Sequence, residues 1–334
     1  MSAQDDVLPR ASAAPSRASS LAGEVLQRVG ILPILIVVLF VFFGLVEPRF
    51  LHAQNLYTVL TQSVYLIMIT LAQTLVLLTG GFDLSVGSSV ALTSIVVGQI
   101  LVAYANHITV GITLASLAGV GVGTLIGVIN GTVISLFTVS PFIVTLAMLS
   151  MAAGGALILS GGVPVFGLPD AFARILSTGV FLGLPVPWLV TIVILVILYL
   201  ALDWMRIGRY IYALGGNSEA ARLSGVPVRF YLWLTYVLAG AVVGLGGVML
   251  TARVGSGEPN LGATLPLESI AAAVVGGVSL RGGEGTLTGA TLGAIFFVFL
   301  RNGMDLIRIS SYVQMIVTGV LLVLAIVVDR YIHR

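Results

Sequence analysis

The chain has 334 residues, 58% of them hydrophobic and only 8% charged, with a formal net charge of +2 and a mean hydropathy of +1.13. No water-soluble globule hides that much apolar side chain, so lipid must be the solvent for most of it. The absence of Cys excludes disulfides and thiol chemistry, the absence of Lys excludes a phosphate-binding P-loop on this chain, and so small a net charge without a basic patch argues against a nucleic-acid partner.

Residues 1–29 are rich in Ser, Ala, Pro and Arg without an apolar period, which predicts a disordered cytoplasmic tail. The apolar run Ile31–Val46 leads into Glu47-Pro48-Arg49 rather than a small-residue cleavage site, so it reads as an uncleaved first span. A span needs roughly 17–25 mostly apolar residues, and on that criterion an all-α integral membrane protein with about ten transmembrane helices is expected. They fall near 30–46, 58–79, 87–105, 109–137, 141–160, 186–204, 230–252, 261–279, 287–301 and 311–328. The fifth and eighth have weak boundaries. Gly161–Pro185 contains Pro164, Pro169 and Pro185 and reads as a loop with one short amphipathic helix around Asp170–Leu176.

The polar segment between the sixth and seventh spans, RIGRYIYALGGNSEAARLSGVPVRF (Arg206–Phe230), is too rich in Gly and Pro to be one helix. Gly215-Gly216 predicts a turn, Asn217-Ser218 an N-cap, and Glu219–Leu223 a short helix. Gly225 and Val226-Pro227 stop it. A short helix held between two spans is a handle for another protein to push on.

Arginine counting sets the orientation. With ten spans and the N-terminus inside, Arg10, Arg17, Arg28, Arg206, Arg209, Arg222, Arg229, Arg281, Arg330 and Arg334 are cytoplasmic, against Arg49, Arg174, Arg253, Arg301 and Arg308 outside. Both termini and the 205–229 loop are therefore expected in the cytoplasm, and the 161–185 loop on the periplasmic side.

Among the 40 glycines, Gly119, Gly123, Gly127 and Gly131 form a bare stripe on the fourth span. Gly285, Gly289 and Gly293 do the same near the ninth, and Gly240 with Gly244 in the seventh. In lipid such stripes let helix backbones touch. TGGFDLSVGSSVALTSIVVG (79–98) and GSGEPNLGATLPLESIAAAVVGG (255–277) each run from a Gly-rich turn into a small-residue helix, on opposite sides of the membrane, as an inverted repeat requires.

Few residues could carry chemistry. Asp83, in GGFDLSVGS with Phe82 and Ser85, reads either as the N-cap of the third span or as a lining of the solute path at a break between helices. Glu268 reads as a first-turn acid favoured by the helix dipole or, again, as a path residue. Gln62, Gln73, Asn130 and Asn302 are amides of the kind that bond across helices. His52, His107 and His333 show no metal-ligand spacing, and no nucleophile–base set indicates an enzyme. Trp188, Trp204 and Trp233 fall near span ends, as in an interfacial belt.

GGFDLSVGS, then GRYIYALGGNSEAARLSGVPV, then IAAAVVGGVSLRGGEGTLTGATLGA, then RNGMDL resemble, in order and spacing, the membrane permeases of the ribose-type sugar ABC importers, over roughly residues 30–330. The resemblance implies a permease domain over 30–330 in the bacterial inner membrane, paired with a second, identical or different, permease subunit. It also implies a cytoplasmic ABC ATPase that supplies ATP and magnesium, with no cofactor on this chain, and a periplasmic solute-binding protein. It further implies that Gly215–Pro227 couples to the ATPase, which singles out Gly216, Asn217, Glu219, Ala220, Arg222, Ser224 and Gly225. Similar sequences carry an acidic–Leu–acidic triplet where this chain has Pro266-Leu267-Glu268, and an Asn-Asn-Gly run where Arg301 stands; Arg308 is likewise unusual.

The leading expectation is therefore a permease subunit for a monosaccharide such as ribose or a sugar-like solute, with Phe82, Asp83, Ser85, Glu268 and Asn302 as path candidates. The alternative is an ion-coupled secondary transporter, for which only Asp83 and Glu268 offer carboxylates near the midplane. A channel would need a charge ring or carbonyl filter, and the sequence shows neither.

Overall fold

The computed structural model describes residues 32–332, so the tail expected at 1–29 and the terminal His333 and Arg334 lie outside the described residues. The elements are α1 (Leu32–Val46), a 3₁₀ turn (Pro48–Leu51), α2 (Ala53–Leu78), α3 (Val86–Ala103), α4 (Ile108–Phe137), α5 (Pro141–Ser160) and α6 (Asp170–Leu176). A two-residue hairpin (β1 Val180–Phe181, β2 Leu184–Pro185) leads into α7 (Val186–Tyr199), which ends in a π turn (Leu200–Trp204). Then come α8 (Arg206–Gly216), α9 (Ser218–Leu223), α10 (Val228–Val254), α11 (Leu265–Val275), α12 (Leu287–Leu306) and α13 (Ser311–Ile332).

Seven of these are long and apolar enough to cross a membrane: α2, α3, α4, α5, α7 with its π turn, α10 and α12. Helices α1, α11 and the apolar part of α13 are shorter. The weakly bounded fifth span is one unbroken helix. The eighth is a correction: instead of 261–279 it holds 11 helical residues, about 16 Å, half the hydrocarbon thickness. Glycines set both limits. Gly262 (φ +84°) turns the chain just before α11, and Gly276 with Gly277 (φ +86°) turns it just after.

Helix α2 is the hub, buried continuously from Ser63 to Leu78. Around it the helices associate through glycine. A Cβ on Gly123 would strike the Gly240 carbonyl and the Gly244 backbone, and one on Gly127 the Tyr236 carbonyl, so α4 and α10 lie backbone to backbone. On α12, Gly289 and Gly293 abut the Gly276 and Ala272 carbonyls at the end of α11. Gly285 does not extend that stripe. It lies before the helix at φ +137°, against Val278. Trp233 donates to Thr132 Oγ1 (3.2 Å), tying α10 to α4 at the same end as the α8–α9 segment.

The two echoing segments, 79–98 and 255–277, touch. Glu258 N donates to Ser94 Oγ (3.0 Å), and Gly98 lies beside Gly257. Val165 pairs with Gly257 in both directions (2.8 and 2.9 Å), which pins the 161–185 loop to the same place. At the α1–α2 connection Glu47 accepts from Arg49 N (3.2 Å) and Nε (2.8 Å). Those hydrogen bonds hold its carboxyl down to about 2.

Candidate functional site

Two regions carry the residues of interest, and they lie at opposite ends of the bundle. The first is the α8–α9 elbow. Gly215 and Gly216 belong to the last turn of α8 rather than to a turn of their own. The reason for the helical Gly215 is packing: its Cα faces the Leu78 carbonyl at the end of α2 and the Gly283 amide, with no room for a Cβ. Gly283 N itself donates to Leu78 O (2.9 Å), and Tyr212 Oη donates to Gly285 O (2.9 Å). Helix α8 is thus seated on α2 and on the loop that leads into α12.

Asn217 caps α9 as its sequence requires, with Oδ1 accepting from Ala220 N (2.9 Å). Ser224 Oγ donates to Ala220 O (2.9 Å), and Gly225 at φ +84° ends the turn. Only Ala221 of this helix is buried. Glu219 and Arg222 form an exposed ion pair one turn apart, and the guanidinium lowers the Glu219 carboxyl below its ordinary range. Around a Cβ on Gly216 there is open space, so Gly216 is not sterically required. The sequence reading passed over Leu223, which is 75% exposed at the tip of the elbow.

Phe82, Asp83 and Ser85 sit in a buried knot between α2 and α3. Asp83 Oδ1 accepts from Ser85 N (2.9 Å) and Ser85 Oγ (2.6 Å). This is a turn two residues long; Ser85, not Asp83, holds the N-cap position of α3, without a side-chain cap bond. Asn130 of α4 donates to Ser85 Oγ (3.0 Å), while Thr145 of α5 and Tyr236 of α10 donate to the Phe82 carbonyl (3.3 and 3.4 Å). With its amide oriented to match donors to acceptors, Gln73 pairs with both backbone groups of Asp83 (3.1 and 3.3 Å). Five helices meet here on polar bonds.

The second region is a cavity of about 570 Å³ framed by α2, the 262–268 segment, α12 and α13. Tyr65 on its wall is thirteen residues from Leu78, so the cavity lies about 20 Å along α2 from the elbow. Of the sequence candidates it gathers Glu268 and Asn302, and also Gln62, but not Phe82, Asp83 or Ser85. Arg301 Nη1 donates to Glu268 Oε1 across a long 3.4 Å. Asn302 is occupied by a reciprocal amide pair with Asn55 (2.9 and 3.1 Å). Asp305 Oδ1 accepts from Gln314 Nε2 (2.6 Å). Arg253 lies over the Tyr65 ring, 4.9 Å from its centroid. Arg253 and Tyr65 had no signal in the sequence beyond orientation and hydropathy, because contacts across helices leave no local pattern.

The family described as branched-chain amino acid transport system / permease component matches residues 55–326, which contain both regions. The chain belongs to that family. This permease is a multi-pass membrane protein and a transport component rather than an enzyme. Among curated relatives, the ribose import permease protein RbsC of Escherichia coli K12 is 39% identical over 302 residues, 89% of this chain and 92% of the relative. The D-allose transport system permease protein AlsC of the same strain is 32% identical over 308 residues, 92% of this chain and 93% of the relative. The L-arabinose ABC transporter permease protein AraH of Azospirillum brasilense is 34% identical over 323 residues, 97% of this chain and 93% of the relative. No solved structure matches the permease.

Proposed function

We propose that the chain is the membrane-spanning permease subunit of an ATP-driven ABC importer for a monosaccharide. The named relatives support the sugar class over the amino acids of the family description. Both termini and α9 face the cytoplasm, the 161–185 loop and the cavity face the periplasm, and a second permease subunit completes the path. A cytoplasmic ATPase, holding ATP and magnesium, receives α9 through Asn217, Glu219, Ala220, Arg222, Ser224 and Gly225; a solute-binding protein docks on the other end.

One observation carries this reading. The elbow is seated by Gly215 on α2 and on the loop into α12; α2 carries Tyr65 and α12 carries Arg301 on the cavity wall. Displacement of α9 by closing ATPases therefore moves the frame of the cavity directly through α2, and through α12 by way of the loop that leads into it. The Asp83 knot keeps α2, α3, α4, α5 and α10 together while this happens.

Co-purification with the ATPase tests the reading. The double variant Glu219→Ala, Arg222→Ala should lose the ATPase while eluting as intact permease, because neither side chain contributes to the buried core. Full retention of the ATPase and of coupled transport would contradict the assigned docking residues.

A further inference from the structure

We infer that the solute carried through the cavity is an acidic monosaccharide, a sugar bearing a carboxylate, bound by Arg253 with help from Arg301. This rests on the proposed import function and narrows its substrate class. The argument is an inventory of donors and acceptors. Two guanidiniums and two carboxyls line the cavity: Arg253, Arg301, Glu268 and Asp305. Asp305 is engaged by Gln314 at 2.6 Å, and the amides of Asn302 and Asn55 satisfy each other.

The cations are not satisfied in the same way. Arg253 has only the face of Tyr65, and its donors reach no acceptor among the described residues. Arg301 has one carboxylate contact, at 3.4 Å, well beyond the 2.7–2.9 Å of a good charge-assisted bond. A cavity that presents one fork of N–H donors without a protein acceptor, beside a second loosely held one, suits a planar anion. A carboxylate fits that fork two oxygens at a time, and the Tyr65 ring beneath Arg253 keeps the guanidinium plane in place. The cavity volume accommodates one monosaccharide with its first waters.

Saturation-transfer NMR on the permease in lipid nanodiscs, with D-glucuronate, D-glucose and D-glucose 6-phosphate as probes, tests the assignment. One bidentate charge-assisted pair predicts that wild type binds D-glucuronate about tenfold more tightly than D-glucose. In Arg253→Gln the preference for D-glucuronate over D-glucose should disappear, and Arg253→Lys should recover part of it. Glu268→Gln releases Arg301 and should strengthen D-glucuronate binding, a gain that misfolding cannot imitate. Equal binding of D-glucuronate and D-glucose to wild type, or weakened D-glucuronate binding in Glu268→Gln, overturns the proposal. Preference for D-glucose 6-phosphate over D-glucuronate overturns the carboxylate class. In membrane vesicles holding the complete transporter, ATP-driven uptake of D-glucuronate that is unchanged by Arg253→Gln sinks this inference alone. Uptake without ATP sinks the import reading beneath it.

Discussion

The α4–α10 seam and the cavity frame are built from the same chain by opposite means. At the seam, Gly123 and Gly127 face Gly240, Gly244 and the Tyr236 carbonyl backbone to backbone, while Gly119 makes room for the Val248 side chain. At the cavity, long polar side chains from α2, α10, α12 and α13 reach across open space, and the one ion pair, Arg301 with Glu268, is loose. Backbone-to-backbone packing has one arrangement and resists sliding, whereas loosely paired side chains can change partners at little cost. On the proposed import function, the difference separates the part that stays rigid from the part that opens.

Breaking the rigid side should give the largest effect. Gly127→Leu drives a side chain into the Tyr236 carbonyl and should cost at least about 3 kcal/mol, read as a lowered unfolding midpoint and loss of monodisperse protein. Gly154→Leu, where a Cβ meets open space on α5, is the matched control and should be neutral. Asp83→Ala removes the acceptor of two buried hydrogen bonds from Ser85 and should cost about 1–3 kcal/mol in the same assay.

Between rigid and mobile parts, Gly215→Val should separate binding from work. The ATPase should still dock on α9, but the wedge between α8 and Leu78 should lower coupled transport on the order of tenfold. Equal transport at equal docking would show that the seat is not the lever.

The smallest effect is expected at Glu47. Its carboxyl, at about 2 in the folded chain against an ordinary 4.5, makes its contribution in full above the ordinary value. That contribution fades as pH falls through about 2. Unfolding midpoints of wild type and Glu47→Gln compared from pH 5 to 8 should therefore show a constant offset; an offset that changes across that window would contradict the pairing with Arg49.

Much of this was legible in the sequence, for physical reasons. Span length against bilayer thickness placed ten apolar helices, and the four-residue glycine period on α4 located the seam before its partner was known. Asn217 and Gly225 marked α9 because capping is local chemistry. What escaped was set by contacts across helices. The Gly215-Gly216 pair looks like a turn until the Leu78 carbonyl shows why helical glycine is needed there. The eighth span looked long because apolar composition continues through glycines that turn the backbone. The path candidates divided for the same reason. Asp83 and Glu268 are both lone carboxylates near helix starts, yet Asp83 closes on its own Ser85 while Glu268 looks into a cavity, where Arg301 reaches it from thirty-three residues away.

The central claim is that force from a partner's nucleotide enters at α9 and opens the cavity about 20 Å away along α2. Its most direct measurement is monosaccharide uptake into liposomes holding the permease, its ATPase and its binding protein. The account predicts uptake that requires ATP, ignores collapsed proton and sodium gradients, and disappears in Glu219→Ala, Arg222→Ala. Solute flux through the permease alone, driven by an ion gradient, would contradict it.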